Sequence, residues 1–264
     1  MQSLLPLLAF LLLPGAEAEE IIGGHEAKAH SLPYMVFVQV LHDGKKSRCS
    51  GVLVREDFVL TAAHCWGRFI NITLGAHNIK KQEKTQQHIP VKKAFCYPDY
   101  NRKVFSGDIM LLQLKIKAKR TAAVRSLPLP GRKARVKPGQ MCSVAGWGQV
   151  SVDKDSLSTT LQEVELTVQE DQKCEGLFPK YYRKATEICV GDQNKNKTGF
   201  KGDSGAPLVC KNTVQGIFCC ASEKGTPPGI FTKVSPFLHW IKKTMKLSKS
   251  RPSNFCGQQF LGRI

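Results

Sequence analysis

Apolar and polar positions along this chain alternate over short stretches and rarely keep a helical period. The segment Leu161-Gln162-Glu163-Val164-Glu165-Leu166-Thr167-Val168 carries its hydrophobic groups largely on every second residue. Met35–Leu41, Phe58–Thr61, Ile109–Leu114 and Ile230–Val234 are equally short, and Gly, Pro, Asn and Asp separate them. Successive side chains of a strand point to opposite faces, so this pattern predicts an all-β protein of antiparallel strands. The 22 Gly and 14 Pro spread along the chain agree with many turns. One helix is predicted, near the end. Ser235 suits its cap and Pro236 its first position. Phe237, Trp240, Ile241 and Met245 share a face that reads as core packing. Lys242, Lys243 and Lys246 fall in its last turns, where the helix dipole favours cations.

The first residues break the pattern. Leu4–Leu13 is apolar apart from the kink at Pro6, and Ala16-Glu17-Ala18 is a small-x-small cleavage signal. Residues 1–18 read as a secretory signal peptide, too short to span a bilayer. No other stretch is apolar enough for a transmembrane segment, so the mature protein is expected to be soluble. Segment 115–138 is basic and contains prolines, as a linker between two β halves would. Residues 248–264 are polar and read as a C-terminal extension. With 264 residues, 42% of them apolar, the chain can bury a sizeable core as one domain or as two small fused ones.

Ten cysteines in a secreted chain imply disulfides, and spacing alone does not pair them. No Cys/His cluster has structural zinc spacing, and neither a metal nor a cofactor is expected. The net charge is +18, or +21 once residues 1–20, with three Glu and no Lys or Arg, are removed. Such a surface attracts polyanions. The charge is dispersed and no nucleic-acid fold motif accompanies it, so a specific nucleic-acid reader is not expected. A glycosaminoglycan, nucleic acid as a plain polyanion or an acidic membrane could be the partner, with simple solubility as the alternative account. Asn71-Ile72-Thr73 and Asn196-Lys197-Thr198 are glycosylation acceptors in a secreted setting, the first the better placed.

Three segments carry candidate chemistry: Leu60-Thr61-Ala62-Ala63-His64-Cys65, Asp108-Ile109-Met110-Leu111-Leu112 and Gly202-Asp203-Ser204-Gly205-Ala206-Pro207-Leu208. Acyl transfer by a serine needs a base within reach and a carboxylate that holds the base in the right tautomer. His64, Asp108 and Ser204 supply those groups, each at the edge of an apolar segment. The glycines around Ser204 allow a tight turn, and the N–H groups of Gly202 and Ser204 can converge as an oxyanion hole. Singly, each segment has a bland account as a structural histidine, a cap or a turn. The combination in a cysteine-rich secreted chain is what points to catalysis.

With these motifs stand Ile21-Ile22-Gly23-Gly24-His25-Glu26, Pro33-Tyr34-Met35, Thr73-Leu74-Gly75-Ala76-His77-Asn78-Ile79, Ala145-Gly146-Trp147-Gly148 and Trp240-Ile241-Lys242-Lys243-Thr244-Met245. Together they resemble the trypsin/chymotrypsin family of serine proteases from Ile21 to about Met245. Within it they are similar to the leukocyte granule group of granzymes, cathepsin G and chymase, granzyme H and granzyme B-like proteins above all. The resemblance implies two six-stranded antiparallel β-barrels, divided near 115–138, with a C-terminal helix and a cleft between the barrels. The protease domain would cover 21–247. Ser204 would be nucleophile, His64 base then acid, and Asp108 its orienter. Glu19-Glu20 is similar to the acidic activation dipeptide of these zymogens. A dipeptidyl peptidase would remove it, and the freed Ile21 ammonium would pair with buried Asp203. The implied disulfides are Cys49–Cys65, Cys142–Cys210 and Cys174–Cys189. Cys96, Cys219, Cys220 and Cys256 remain, and Cys256 could join Cys96, Cys220 or another molecule. Regular strand alternation would send adjacent Cys219 and Cys220 to opposite faces.

The same resemblance locates the specificity pocket at Thr198, Cys219, Cys220, Ala221 and Gly229. Thr198 at its base is uncharged, which argues against cleavage after Lys or Arg. Gly229 brings no cation, so an acidic side chain would lose its solvation uncompensated. A chymotrypsin-like preference for Phe, Tyr, Leu or Met is expected. Cys219-Cys220-Ala221 departs from the family's Ser-aromatic-Gly wall, and a thiol is a weaker donor than a hydroxyl. Ala206 and Ser50 each replace a glycine. The expected protein is therefore a secreted granule serine endopeptidase of cytotoxic lymphocytes or mast cells, with a role in cell killing. The resemblance to granule proteases narrows the polyanion to an acidic proteoglycan or glycosaminoglycan and adds serpin-type inhibitors as partners. The alternative is a weakly active or inactive homologue acting as a cationic antimicrobial or polyanion-binding protein.

Overall fold

The computed structural model describes residues 24–149, 157–191, 202–222 and 226–247, together with Cys256. The leader, Glu19, Glu20, Ile21, Asn196 and Thr198 lie outside the described residues. Strands dominate. After the two-residue β1 (His25–Glu26) come β2 (Met35–His42), β3 (Lys45–Arg55), β4 (Phe58–Thr61), β5 (Phe69–Leu74), β6 (Gln87–Cys96) and β7 (Met110–Leu114). β2 to β7 close into an antiparallel barrel in the order β2-β3-β4-β7-β6-β5. Its first hairpin turns on Asp43 and Gly44, whose φ angles are +47° and +75°. Two consecutive left-handed residues give the two-residue turn that matches strand twist, and His42 accordingly faces Lys45.

The period of two explains how β2 serves two cores. Val36, Val38 and Val40 fill the barrel interior. Met35 and Phe37, on the other face, pack with Ala145, Trp147 and Leu161 of the second half. That half contains β8 (Met141–Gly146), β9 (Gln162–Thr167), β10 (Glu187–Val190), β11 (Pro207–Cys210), β12 (Thr213–Cys220) and β13 (Gly229–Lys233). They form a seven-stranded sheet ordered β1-β9-β8-β11-β12-β13-β10. The closed first barrel thus faces a sheet in which the residue after β9 returns to the last residue of β10 through the isolated bridge Val168–Val190. β1 crosses onto this sheet, with His25 opposite Glu163.

No strand or helix forms between Leu114 and Met141, yet the segment is strapped to the first barrel. Arg125 N–H donates to Pro33 O at 2.9 Å and Leu127 N–H to Leu53 O at 2.8 Å. Of the two α-helices among the described residues, α1 (Asp171–Leu177) was not legible in the pattern. It is short, contains Gly176 and buries only Cys174, so no apolar face announces it. α2 (Leu238–Leu247) is the expected C-terminal helix, but it is entered through a 3-10 turn, Ser235–Phe237. Ser235 lies inside that turn and makes no side-chain cap; Val234, already helical in its backbone, occupies the boundary. Phe237, Leu238 and Ile241 pack into the first-barrel core, so the end of the chain clamps the half that began it. Disulfides join Cys49–Cys65, Cys96–Cys256, Cys142–Cys210 and Cys174–Cys189. Cys256 therefore pins the chain beyond α2 to β6.

Candidate active site

His64 sits in the 3-10 turn Ala63–Cys65 directly after β4, and Cys65 anchors that turn to β3 through Cys49. Asp108 precedes β7 and is fully buried. One carboxylate oxygen accepts the His64 backbone N–H at 2.8 Å, and the other lies 2.6 Å from His64 Nδ1. A carboxylate only accepts, so Nδ1 carries the proton and Nε2 keeps a free lone pair. Burial works against a charge on His64. The neighbouring charge of Asp108 and the hydrogen bond to it outweigh burial and hold the imidazole above its ordinary pKa, although the Arg102 charge opposes this. Phe105 closes one side of the ring, edge-on at 5.8 Å.

Ser204 lies in the turn that leads into β11, half-buried, between fully buried Asp203 and Gly205. Its carbonyl accepts the Ser50 N–H at 2.8 Å. Ser50 O in turn accepts Thr61 Oγ1 at 2.7 Å, and Thr61 is three residues before His64. The Ser204 turn and the His64 turn are thus tied to the same two strands. Gly205 has φ +82°, and a Cβ there would stand 2.1 Å from Thr61 Oγ1 and 2.3 Å from Ser50 O. Only glycine permits both the left-handed backbone and this approach. Asp203 Oδ1 accepts the Gly148 N–H at 3.0 Å. Its carboxylate occupies the space that side chains at Gly146 and Gly148 would fill. Ala206 is fully buried, and its methyl belongs to the second-half core rather than to the cleft.

The wall segment departs from the regular alternation expected for Cys219 and Cys220. Pairing of β12 with β13 slips between Phe218–Phe231 and Cys220–Ile230, leaving Cys219 in a bulge. The bulge turns the two sulfurs toward each other, and Cys219 Sγ donates to Cys220 Sγ at 3.4 Å. Cys219 is buried and Cys220 half-buried, and both are free thiols. The hydrogen bond to Cys220, burial, and the charge of Asp108 together push the Cys219 thiol pKa well up. Ala221 packs against the second-half core, and Gly229 opens β13 opposite Val190.

Comparison with known proteins fits this geometry. The family model described as Trypsin matches residues 21–241. The chain belongs to the trypsin family. It is 67% identical to human granzyme H and 62% identical to human granzyme B, each over 93% of this chain and 99% of the relative. Human cathepsin G is 51% identical over 94% of this chain and 96% of the relative. A solved chain described as "Structure of GrC" superposes with a TM-score of 0.83 at 56% identity, covering 86% of this chain and all of that one. The protein is a trypsin-family serine protease closely related to granzymes, and its substrates are proteins.

Three residues near His64 and Asp108, namely Tyr100, Arg102 and Phe105, belong to none of the sequence motifs. Tyr100 places its hydroxyl in a buried position without a hydrogen-bond partner among the described residues. Burial first, then the charges of Asp108 and Cys219, push its pKa up. Tyr100, Arg102 and Phe105 all precede Asp108 by eight residues or fewer, which is the signal that could have found them. Among the described residues, no group of three or more His, Cys, Asp or Glu could hold a metal ion. No helix there is long and apolar enough to cross a membrane.

Proposed function

We propose that the chain, processed to begin at Ile21, is a granule serine endopeptidase that prefers Phe, Tyr, Leu or Met before the scissile bond. The paired contacts of Asp108 with His64 carry the catalytic part of this reading. His64 Nε2 takes the Ser204 proton as Oγ attacks the carbonyl, then returns a proton to the leaving amine. Asp108 holds the tautomer and stabilises the imidazolium. The N–H groups of Gly202 and Ser204 receive the oxyanion. Water then hydrolyses the acyl-enzyme by the same route. The pocket preference rests on uncharged Thr198 and Gly229, which offer neither an anion for Lys or Arg nor a cation for Asp.

Ile21, freed when a dipeptidyl peptidase removes Glu19-Glu20, would pair its ammonium with buried Asp203 and so order the Gly202 loop. Extension of the mature protein by Glu19-Glu20 is expected to abolish peptide hydrolysis; full activity of the extended form would contradict this switch. The strong positive charge suits storage on an acidic proteoglycan. The granzyme and cathepsin G relatives support a secretory granule of cytotoxic lymphocytes or mast cells, a part in cell killing and serpin-type inhibitors. Asn71 is exposed on β5 and free to carry a glycan. The Cys219 bulge favours a second reading, a weakly active homologue working as a cationic binding or antimicrobial protein. A peptide-library profile of the processed protein separates the two. Cleavage after Phe, Tyr, Leu or Met supports the first reading; an acidic preference defeats the pocket assignment, and no cleavage favours the second.

A further inference from the structure

β12 ends on two consecutive thiols that the proposed acyl transfer does not consume. Four disulfides occupy the other eight cysteines. The bulge at Cys219 brings Sγ of Cys219 and Cys220 to 3.4 Å. Cys219 is 5% exposed and near enough to the Asp108 carboxylate to feel its charge, while Cys220 is half-buried. One member of the pair can meet a small solute, and the other lies in the field of the carboxylate that partners His64.

We propose that Cys219 and Cys220 form a redox modification site, which hydrogen peroxide converts to a vicinal disulfide and so alters the surroundings of Asp108. Cys220 reacts first because it is the accessible sulfur. Its sulfur attacks one peroxide oxygen, the O–O bond breaks, and the second oxygen leaves as water with the thiol proton. The product is a sulfenic acid on Cys220. Cys219 Sγ then attacks the sulfenyl sulfur. The S–S bond forms, the S–O bond breaks, and hydroxide leaves as water with the Cys219 proton. Two thiols lose two electrons and two protons, and one peroxide becomes two waters. Proximity favours capture by Cys219 over further oxidation.

The product is reversible for a geometric reason. Consecutive Cα atoms are about 3.8 Å apart, closer than the roughly 4.4 Å at which ordinary disulfides begin. Such strain makes the bond more easily reduced. Glutathione should therefore reopen it while the buried structural disulfides persist. Formation of the disulfide is independent of the proteolytic reading. Its effect on turnover rests on that reading, because removing a polar S–H group beside the buried Asp108 should lower kcat by about tenfold.

The test uses the full processed protein with hydrogen peroxide as oxidant, read by intact mass, differential alkylation and turnover of a peptide substrate. The expected result is loss of two hydrogens, protection of both thiols from alkylation and a drop of about tenfold in turnover, all reversed by glutathione. Cys220→Ser should show neither the mass loss nor a glutathione-reversible drop. Both thiols still alkylatable, or Cys220 driven to sulfinic acid beside a free Cys219, would overturn the site. A vicinal disulfide with undiminished turnover would overturn its coupling to Asp108. If the disulfide forms reversibly but the reduced protein never labels at Ser204, the site stands and the proteolytic reading fails.

Discussion

The turn that carries His64 bonds to Asp108 and the strand end that carries Cys219 lies in its field, and the two are built in opposite ways. The His64 turn is fixed several times over. A disulfide holds Cys65, Thr61 reaches Ser50, and Asp108 accepts two bonds from one histidine. The Cys219 end is a bulge with two free thiols and a slipped register. Geometry needed by the reaction is over-determined, while the neighbouring wall has diverged in residue type and in backbone. Changes on the first side should therefore be severe, and changes on the second graded.

The largest effect is expected for Ser204→Ala, which should lower kcat about a millionfold, as single losses in such concerted sites do. A variant retaining most of its hydrolysis would remove Ser204 from the mechanism. Asp108→Asn should cost about 10⁴-fold, because an amide favours the wrong histidine tautomer. Circular dichroism should show the fold intact, and a loss below tenfold would mean that another group orients His64. On the wall side, Cys219→Ala should cost about tenfold in kcat, with Cys219→Ser holding or improving on the parent. Equal losses in both would make the effect one of packing rather than of a polar group beside Asp108.

The smallest effect is a displaced pH limb. His64 must be neutral to act as base, and its pKa is raised against the opposing effects of burial and Arg102. The acid limb of kcat/KM should therefore lie above the ordinary histidine value of about 6.5. Stability runs the other way. A raised folded pKa contributes stability that is fully present below the unfolded value and is lost as pH rises through the folded one. Removing the Arg102 charge by Arg102→Gln should move the limb further up, and a downward move would contradict the assigned cause.

The sequence disclosed the two sides unequally. His64, Asp108 and Ser204 stood out because each lies at the edge of an apolar strand in a recognisable run, and burial then brings such edges together. The alternation of Gln162–Thr167 was plain because Val164 and Leu166 face the core while Glu165 faces solvent. The bulge at Cys219 was hidden, since alternation presumes a regular ladder and a slip depends on the partner strand. The helix at Asp171–Leu177 was hidden because a disulfide through Cys174, not an apolar face, fastens it to β10. Ser235 misled for a related reason. Its residue type suits a cap, but the backbone is already helical at Val234 and enters the helix as a 3-10 turn.

Both sides of the comparison come to rest on the reactivity of Ser204. A fluorophosphonate probe, added to the protein processed to Ile21 and mapped by mass spectrometry, tests it most directly. Labelling of Ser204, lost in the Glu19-Glu20-extended form and slowed severely by Asp108→Asn, is the predicted result. Absence of labelling, with Ile21 shown to be the free N-terminus and all thiols reduced, would contradict the account.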